Sequence, residues 1–238
     1  MMRPLAPKFL TPHFLTPGFF LRHYKTCLIF LNIIFWPLLT LGLYYALFAS
    51  PQDYQQGELV RIMYVHVPSA WLALGVYAFM ALTSFLNMVW ANKLAYIMCA
   101  ASAPIGGAFA FITLASGAIW GYPCWGTWWV WDARLTSMLI LFLFYLAYIA
   151  FFNLNPKKAE KPCSAIALIG FINVPLVKFS VDMWASLHQG ASVLTLSGPK
   201  IHSDMLKPLL IMFLAFGVFF LINMIMRTYV LIMMFKYK

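Results

Sequence analysis

A chain of 238 residues that is 63% hydrophobic and only 9% charged, with a mean hydropathy of +0.84, is not a soluble domain and has the make-up of a polytopic membrane protein. The formal net charge of +10 comes with no basic patch alternating with polar surface, so no nucleic-acid partner is expected and the surroundings are membrane lipid. The four cysteines, Cys27, Cys99, Cys124 and Cys163, form no C-x-x-C pair, which excludes a dithiol redox motif, a zinc ribbon and covalent haem attachment through C-x-x-C-H.

In chain order, a proline-rich tail over residues 1–26 leads into the first apolar run. No small-residue cleavage site follows that run, so it reads as a retained helix. A span needs about 20 apolar residues. Six runs qualify, at about 27–48, 67–90, 94–119, 135–152, 165–181 and 209–235. The second opens with Pro68, a residue tolerated in a first helical turn. The third contains Pro104 and the pair Gly106–Gly107, a kink that neighbouring helices can support. The fifth is short and carries Lys178. No internal repeat and no soluble domain is visible, so the expectation is one all-α integral-membrane domain of six transmembrane helices.

Orientation follows from the basic residues. With six spans, eleven Lys and Arg side chains fall on the side of the termini and four on the other, with Lys178 inside a span. Five of the six acidic residues run the opposite way. The positive-inside rule therefore places both termini in the cytoplasm. The three outer segments are then roughly 49–66, 119–134 and 182–208.

The middle outer segment, Trp120–Arg134, holds five of the nine tryptophans: Trp120, Trp125, Trp128, Trp129 and Trp131. Gly121, Pro123 and Gly126 punctuate it, which predicts a loop or a short amphipathic segment at the membrane surface. An interfacial aromatic belt explains one or two of these residues. A cluster of five also suits a flat apolar surface for a large planar ligand.

His66 closes the first outer segment in Tyr64-Val-His-Val-Pro68. The residue two before a proline lies next to a position biased away from helix, so His66 is expected just outside the second span. It fits either an interfacial hydrogen-bonding histidine or a metal ligand in its neutral form. His188 lies in the third segment and fits either a loop histidine or a second ligand, with His202 as a rival. His13 and His23 belong to the opposite side. Arg61 and Arg134 are candidate partners for anionic groups; Arg134 fits equally an internal pair with Asp132 or a snorkelling residue. Lys178, four residues before Asp182, suggests an i,i+4 pair. No G-x-x-x-x-G-K-[ST] is present, so no ATP hydrolysis by this chain is expected. No H-E-x-x-H is present either, and no pair of intramembrane acids a turn apart.

Four dispersed stretches carry a resemblance. Trp125-Gly-Thr-Trp-Trp-Val-Trp-Asp132 followed by Ala-Arg-Leu-Thr-Ser, Asp53-Tyr-Gln-Gln-Gly57, Tyr64-Val-His-Val-Pro68 and Leu187-His-Gln-Gly190 together resemble the haem exporter protein C (CcmC) family of cytochrome c maturation. The resemblance runs from about Tyr24 to the end. It implies non-covalent haem b at the external face of a bacterial inner membrane, or of a mitochondrial one. It implies His66 and His188 as axial ligands, which demotes His202. It implies that Trp120, Trp125, Trp128, Trp129, Trp131 and Asp132 lie against the macrocycle, with Arg134 and Arg61 toward the propionates. The implied partners are the haem chaperone CcmE, the ABC transporter subunits CcmA and CcmB, and the small helper CcmD. Such a chain is a loading platform and not an enzyme. Two other readings use the same residues: a bis-histidine cytochrome b-type electron-transfer subunit, and a transporter of another substrate.

Overall fold

The computed structural model describes residues 16–184, 186, 188, 190, 193 and 198–237. The tail 1–15 with His13, the motif residues Leu187 and Gln189, and Lys238 lie outside the described residues. The chain is all helical: α1 (Pro17–Tyr44), α2 (Met63–Trp90), α3 (Lys93–Trp125), α4 (Ala133–Leu154), α5 (Glu160–Phe171), α6 (Asn173–Met183) and α7 (Ser203–Tyr237). A π turn, Tyr45–Ala49, ends α1, and a 3₁₀ turn, Glu58–Ile62, leads into α2. With α5 and α6 counted as one crossing, six helical segments are long and apolar enough to span a membrane.

The expected spans are all present, but their ends move for identifiable reasons. Helix α1 starts at Pro17, where Pro takes the first helical position and Thr16 caps the Phe19 amide, so much of the expected tail is helical. Helix α2 starts at Met63 and runs through Pro68. The 3₁₀ turn before it has already fixed helical backbone, and Pro68 removes one hydrogen bond without ending the helix. His66 therefore lies inside α2, not outside it. Helix α3 continues past Gly121 and Pro123 to Trp125 and stops only at Gly126, which takes a left-handed φ of 73° and donates to the Tyr122 carbonyl at 2.9 Å. The first third of the tryptophan segment is thus helix and not loop. The fifth crossing is broken at Ile172, three residues before Pro175, whose missing N–H leaves the preceding turn without a donor.

Helices α2 and α3 form the centre, with α4, α5 and α7 packed around them. Two buried tyrosines lock the arrangement, their rings 4.9 Å apart and nearly perpendicular. Tyr145 donates to the Ala73 carbonyl at 2.7 Å and Tyr77 to the Ile166 carbonyl at 2.9 Å. Each hydroxyl so finds an acceptor on a neighbouring helix, which an apolar medium demands of any buried donor. Glycines make the room: a methyl group at Gly106 would land on the Tyr145 ring, and one at Gly170 on the Tyr77 hydroxyl. Gly106→Ala is expected to destabilise the protein by about 1–3 kcal/mol through overpacking. Gly217→Ala, whose added carbon meets nothing within 4 Å, should be neutral or slightly stabilising. Thermal unfolding of the two variants in the same detergent checks the contrast.

Candidate functional site

The ends of α1, α3 and α6 and the starts of α2, α4 and α7 meet at one end of the bundle. The segment between α1 and α2 is organised by its own short motif. Asp53 accepts the amides of Gln55 and Gln56, each at 2.9 Å, and exchanges backbone hydrogen bonds with Gly57. Gly57 has φ 56° and ψ −132°, a conformation open to glycine. The closed turn presents Gln56, whose side-chain oxygen accepts from the Trp120 indole at 2.8 Å. Arg61 serves this segment too. It pairs with Glu58 and donates to the Ala46 carbonyl at 2.8 Å. In a π turn that carbonyl would be satisfied by residue 51, which is a proline without an N–H, so Arg61 supplies the missing donor.

His66 projects from the first turns of α2 against α3. Its Nδ1 lies 3.0 Å from the Ser116 hydroxyl oxygen. That hydroxyl spends its own proton on the Ile112 carbonyl, at 2.6 Å. Ser116 must therefore accept, His66 carries its proton on Nδ1, and Nε2 holds a lone pair. The ring meets Trp120 edge-on at 5.7 Å. Its other neighbours include the Thr113 backbone, which hydrogen-bonds to the ring, and Gly117, where an added carbon would sit 3.0 Å from Cε1.

His188 is held by different elements in the same protonation pattern. Asp132 caps the start of α4, accepting the Leu135 amide at 2.8 Å through Oδ1. Its Oδ2 accepts from the Ser186 hydroxyl and from His188 Nδ1, the latter at 2.9 Å. Burial alone would raise Asp132, but the Leu135 amide, Ser186 and His188 outweigh it and hold the carboxyl below its usual range. Burial pushes His188 down, with Asp132 opposing in part, so the imidazole is neutral at neutral pH. A carboxylate on Nδ1–H again leaves Nε2 with the lone pair, the arrangement that orients metal-binding histidines. Trp125 meets His188 edge-on at 4.9 Å and folds back over Gly121, where an added carbon would lie 2.8 Å from the indole.

The tryptophans divide into two sets. Trp120 and Trp125, both on α3, face the two histidines, and five residues place them about 7.5 Å apart along the helix. Beyond Gly126, Trp128 stacks on Tyr122 at 4.4 Å and is 57% exposed, while Trp131 is 76% exposed. Trp129 lies edge-on to Trp131 at 5.4 Å, and its buried Nε1 has no acceptor among the described residues. The five indoles do not form a single sheet.

Arg134 does not pair with Asp132. It reaches α6 instead, at 3.4 Å from both the Ser180 hydroxyl and the Lys178 carbonyl, and its charge acts on both imidazoles. No Lys178–Asp182 ion pair is present among the described residues. His202 is exposed beside Asp204, at 3.7 Å, with no contact to this cluster among the described residues. The residues that sequence reasoning passed over are Gln56, Ser116, Gly117, Gly121 and Ser186. Gln56, Gly121 and Ser186 lie in stretches the sequence singles out, but nothing local marks Ser116 or Ser186 as partners of histidines 50 and two residues away.

Compared with known proteins, residues 10–238 match the model of a family described as Heme exporter protein C. The chain is 48% identical over 185 residues to the Heme exporter protein C of Bradyrhizobium diazoefficiens, covering 77% of this chain and 70% of that one. It is 45% identical over 185 residues to the Heme exporter protein C of Haemophilus influenzae, covering 75% and 74%. It is 42% identical over 192 residues to a ccmC-like mitochondrial protein of cytochrome c biosynthesis from Marchantia polymorpha, covering 79% and 82%.

Proposed function

The chain belongs to the Heme exporter protein C family, and we propose that it binds haem as cargo between His66 and His188 and presents it to the chaperone CcmE for cytochrome c maturation. The observation that carries this reading is the shared placement of Nδ1. Two histidines from distant parts of the chain each have Nδ1–H bound by a fixed acceptor, leaving two Nε2 lone pairs at one end of the bundle. Two neutral imidazoles are the donor set for axial ligation of haem iron. In this reading haem b is held non-covalently. Trp120 and Trp125 buttress the ligands, and Trp128 and Trp131, with Trp129 against Trp131, provide the aromatic face that meets the chaperone. Arg134, already tied to α6, is the cation for a propionate. Arg61 commits Nε to Glu58 and one Nη1 hydrogen to Ala46 and retains its other donors for the second propionate. The chain would work with CcmA, CcmB and CcmD as a delivery platform, the covalent bond forming on its partner and not here.

Orientation belongs to the same reading. The end opposite the histidines carries Lys93, Lys157, Lys158, Lys161 and Lys236, which assigns it to the cytoplasm. The site then faces outward from a bacterial inner membrane, with the mitochondrial inner membrane as the counterpart for which the Marchantia relative speaks. Reporter fusions after Pro51 and Cys124 are expected to read external, and after Asn92 and Lys158 internal. An internal result at Cys124 would turn the site to the wrong side and end the assignment.

The deciding experiment is an absorption spectrum of the detergent-purified protein with haem supplied. A Soret band with the sharp visible bands of a six-coordinate low-spin haem is expected. No Soret band would favour a transporter of another substrate. A cytochrome b-type subunit would hold its haem through ligands on facing helices. Here His66 does lie on a helix, but His188 lies outside one. Failure to load CcmE from a haem-replete protein would favour that alternative.

A further inference from the structure

Helices α4 and α7 both pack on α3 near the end that carries the basic residues, and between them they leave a crevice. Its deeper part is a cavity of about 260 Å³ lined by Ala100, Pro104, Tyr148, Phe152, Asn153 and Arg227, among others. A second space of about 230 Å³, lined by Lys157, Pro156 and Phe235 among others, continues toward the helix ends. Arg227 sits in the membrane-crossing helix α7, ten residues before its last residue, or about 15 Å along the axis. A helix of 35 residues is about 52 Å long and outreaches a hydrocarbon core of about 30 Å, so Arg227 lies close to the boundary of the core.

Arg227 is exposed at the crevice mouth but tethered at one nitrogen. Its Nε donates to the Ala101 carbonyl of α3 at 3.2 Å, which pins the guanidinium across the crevice. No carboxylate pairs with it among the described residues, and its two terminal nitrogens have no protein acceptor there. Beside it, the Tyr148 ring closes the floor of the cavity while its buried hydroxyl interacts with the Cys99 thiol in the core, and Asn153 adds an amide at the rim. A cation without a counter-charge and an amide around one cavity, at the depth of the headgroups, call for an anionic oxygen ligand. The remaining lining is apolar and the crevice lies between two lipid-facing helices, so the ligand carries an apolar body. The volume admits a phosphodiester and its glycerol and does not admit a porphyrin.

We propose that this crevice binds the phosphate of an anionic phospholipid, gripped by Arg227 with Asn153, and with Lys157 at the outer rim. The bound lipid would fill the gap between α4 and α7 and supply the counter-charge that the protein lacks there.

Native mass spectrometry of the full chain released from detergent, with added phosphatidylglycerol or phosphatidylcholine, tests it. One phosphatidylglycerol is expected to be retained in preference to phosphatidylcholine. Arg227→Gln is expected to lower that retention by about fivefold or more, the worth of one cation near an anionic headgroup, with haem content unchanged. Equal retention of the two lipids, or undiminished phosphatidylglycerol on the Gln variant, overturns the proposal. Displacement by millimolar glycerol phosphate would mark a site for soluble phosphate and overturn it as well. Should Arg227→Gln not survive purification, Asn153→Leu, at an exposed rim position, must lower phosphatidylglycerol retention and leave phosphatidylcholine unchanged. Haem binding at the opposite end is measured separately, so either reading can fail alone.

Discussion

Alanine at His188 or at His66 is expected to strip the protein of most of its haem, and to leave whatever remains five-coordinate and high-spin. In the proposed site each imidazole would supply one of two axial bonds, and the hydrogen bond at each Nδ1 leaves Nε2 for that bond. The loss should therefore exceed the roughly 10–100-fold that outer-shell changes cost a metal site. Added imidazole should restore part of the six-coordinate spectrum in either variant, because the cavity left by the ring accepts it. His202→Ala should change neither occupancy nor spectrum, since His202 is exposed and paired with Asp204. Normal occupancy with an unshifted Soret band in His188→Ala would remove His188 from the site.

Asp132→Asn has the second-largest expected effect, and the structure changes its direction. Read from sequence, Asp132 is free to orient a partner's histidine or to pair with Arg134, and its neutralisation would spare haem binding. In the fold it does not pair with Arg134, and both its oxygens are engaged within the chain. One oxygen caps α4 at the Leu135 amide and the other takes His188 Nδ1–H and the Ser186 hydroxyl. Asparagine can keep the cap only by turning its carbonyl to Leu135, which aims its NH₂ at His188. The imidazole must then accept at Nδ1 and carry its proton on Nε2, where the iron bond is needed. Turning the amide the other way preserves the ligand and forfeits the cap, worth about 1 kcal/mol. Haem occupancy is expected to fall about 10–100-fold, measured from the Soret absorbance per protein. Ser186→Ala, which leaves the Asp132–His188 bond in place, should fall much less. Full haem content in Asp132→Asn with defective loading of CcmE would reinstate a role confined to presentation.

The membrane architecture was legible from hydropathy because each crossing is a long apolar run with polar breaks between runs. What was misjudged lies at helix ends. Pro68 and Pro123 read as boundaries, yet α2 was already wound by the preceding 3₁₀ turn and α3 loses only single hydrogen bonds before its left-handed stop at Gly126. The two histidines and the tryptophan segment were legible because their side chains are rare in such runs. Their partners were not. Ser116 is one hydroxyl among many on an apolar helix, and the Asp132–His188 bond joins residues 56 apart whose meeting depends on how α4 and α6 pack.

The break at Ile172 separates two mechanical duties within one crossing. Helix α6 is fastened to α4 by Asn173, which donates to the Ser137 carbonyl at 2.8 Å, and by Arg134 on Ser180 and Lys178. It leads directly into the segment bearing His188. Helix α5 lies on the far side of the break and packs on α2 and α4 toward the other end of the bundle. Bilayers of different thickness are met by tilting helices at a modest cost per ångström. An unbroken rod would transmit that tilt to the ligand. Ile172 keeps helical angles but its turn lacks the donor that Pro175 cannot give, so in the proposed site a tilt of α5 would reach His188 weakened, with α6 seated on α4.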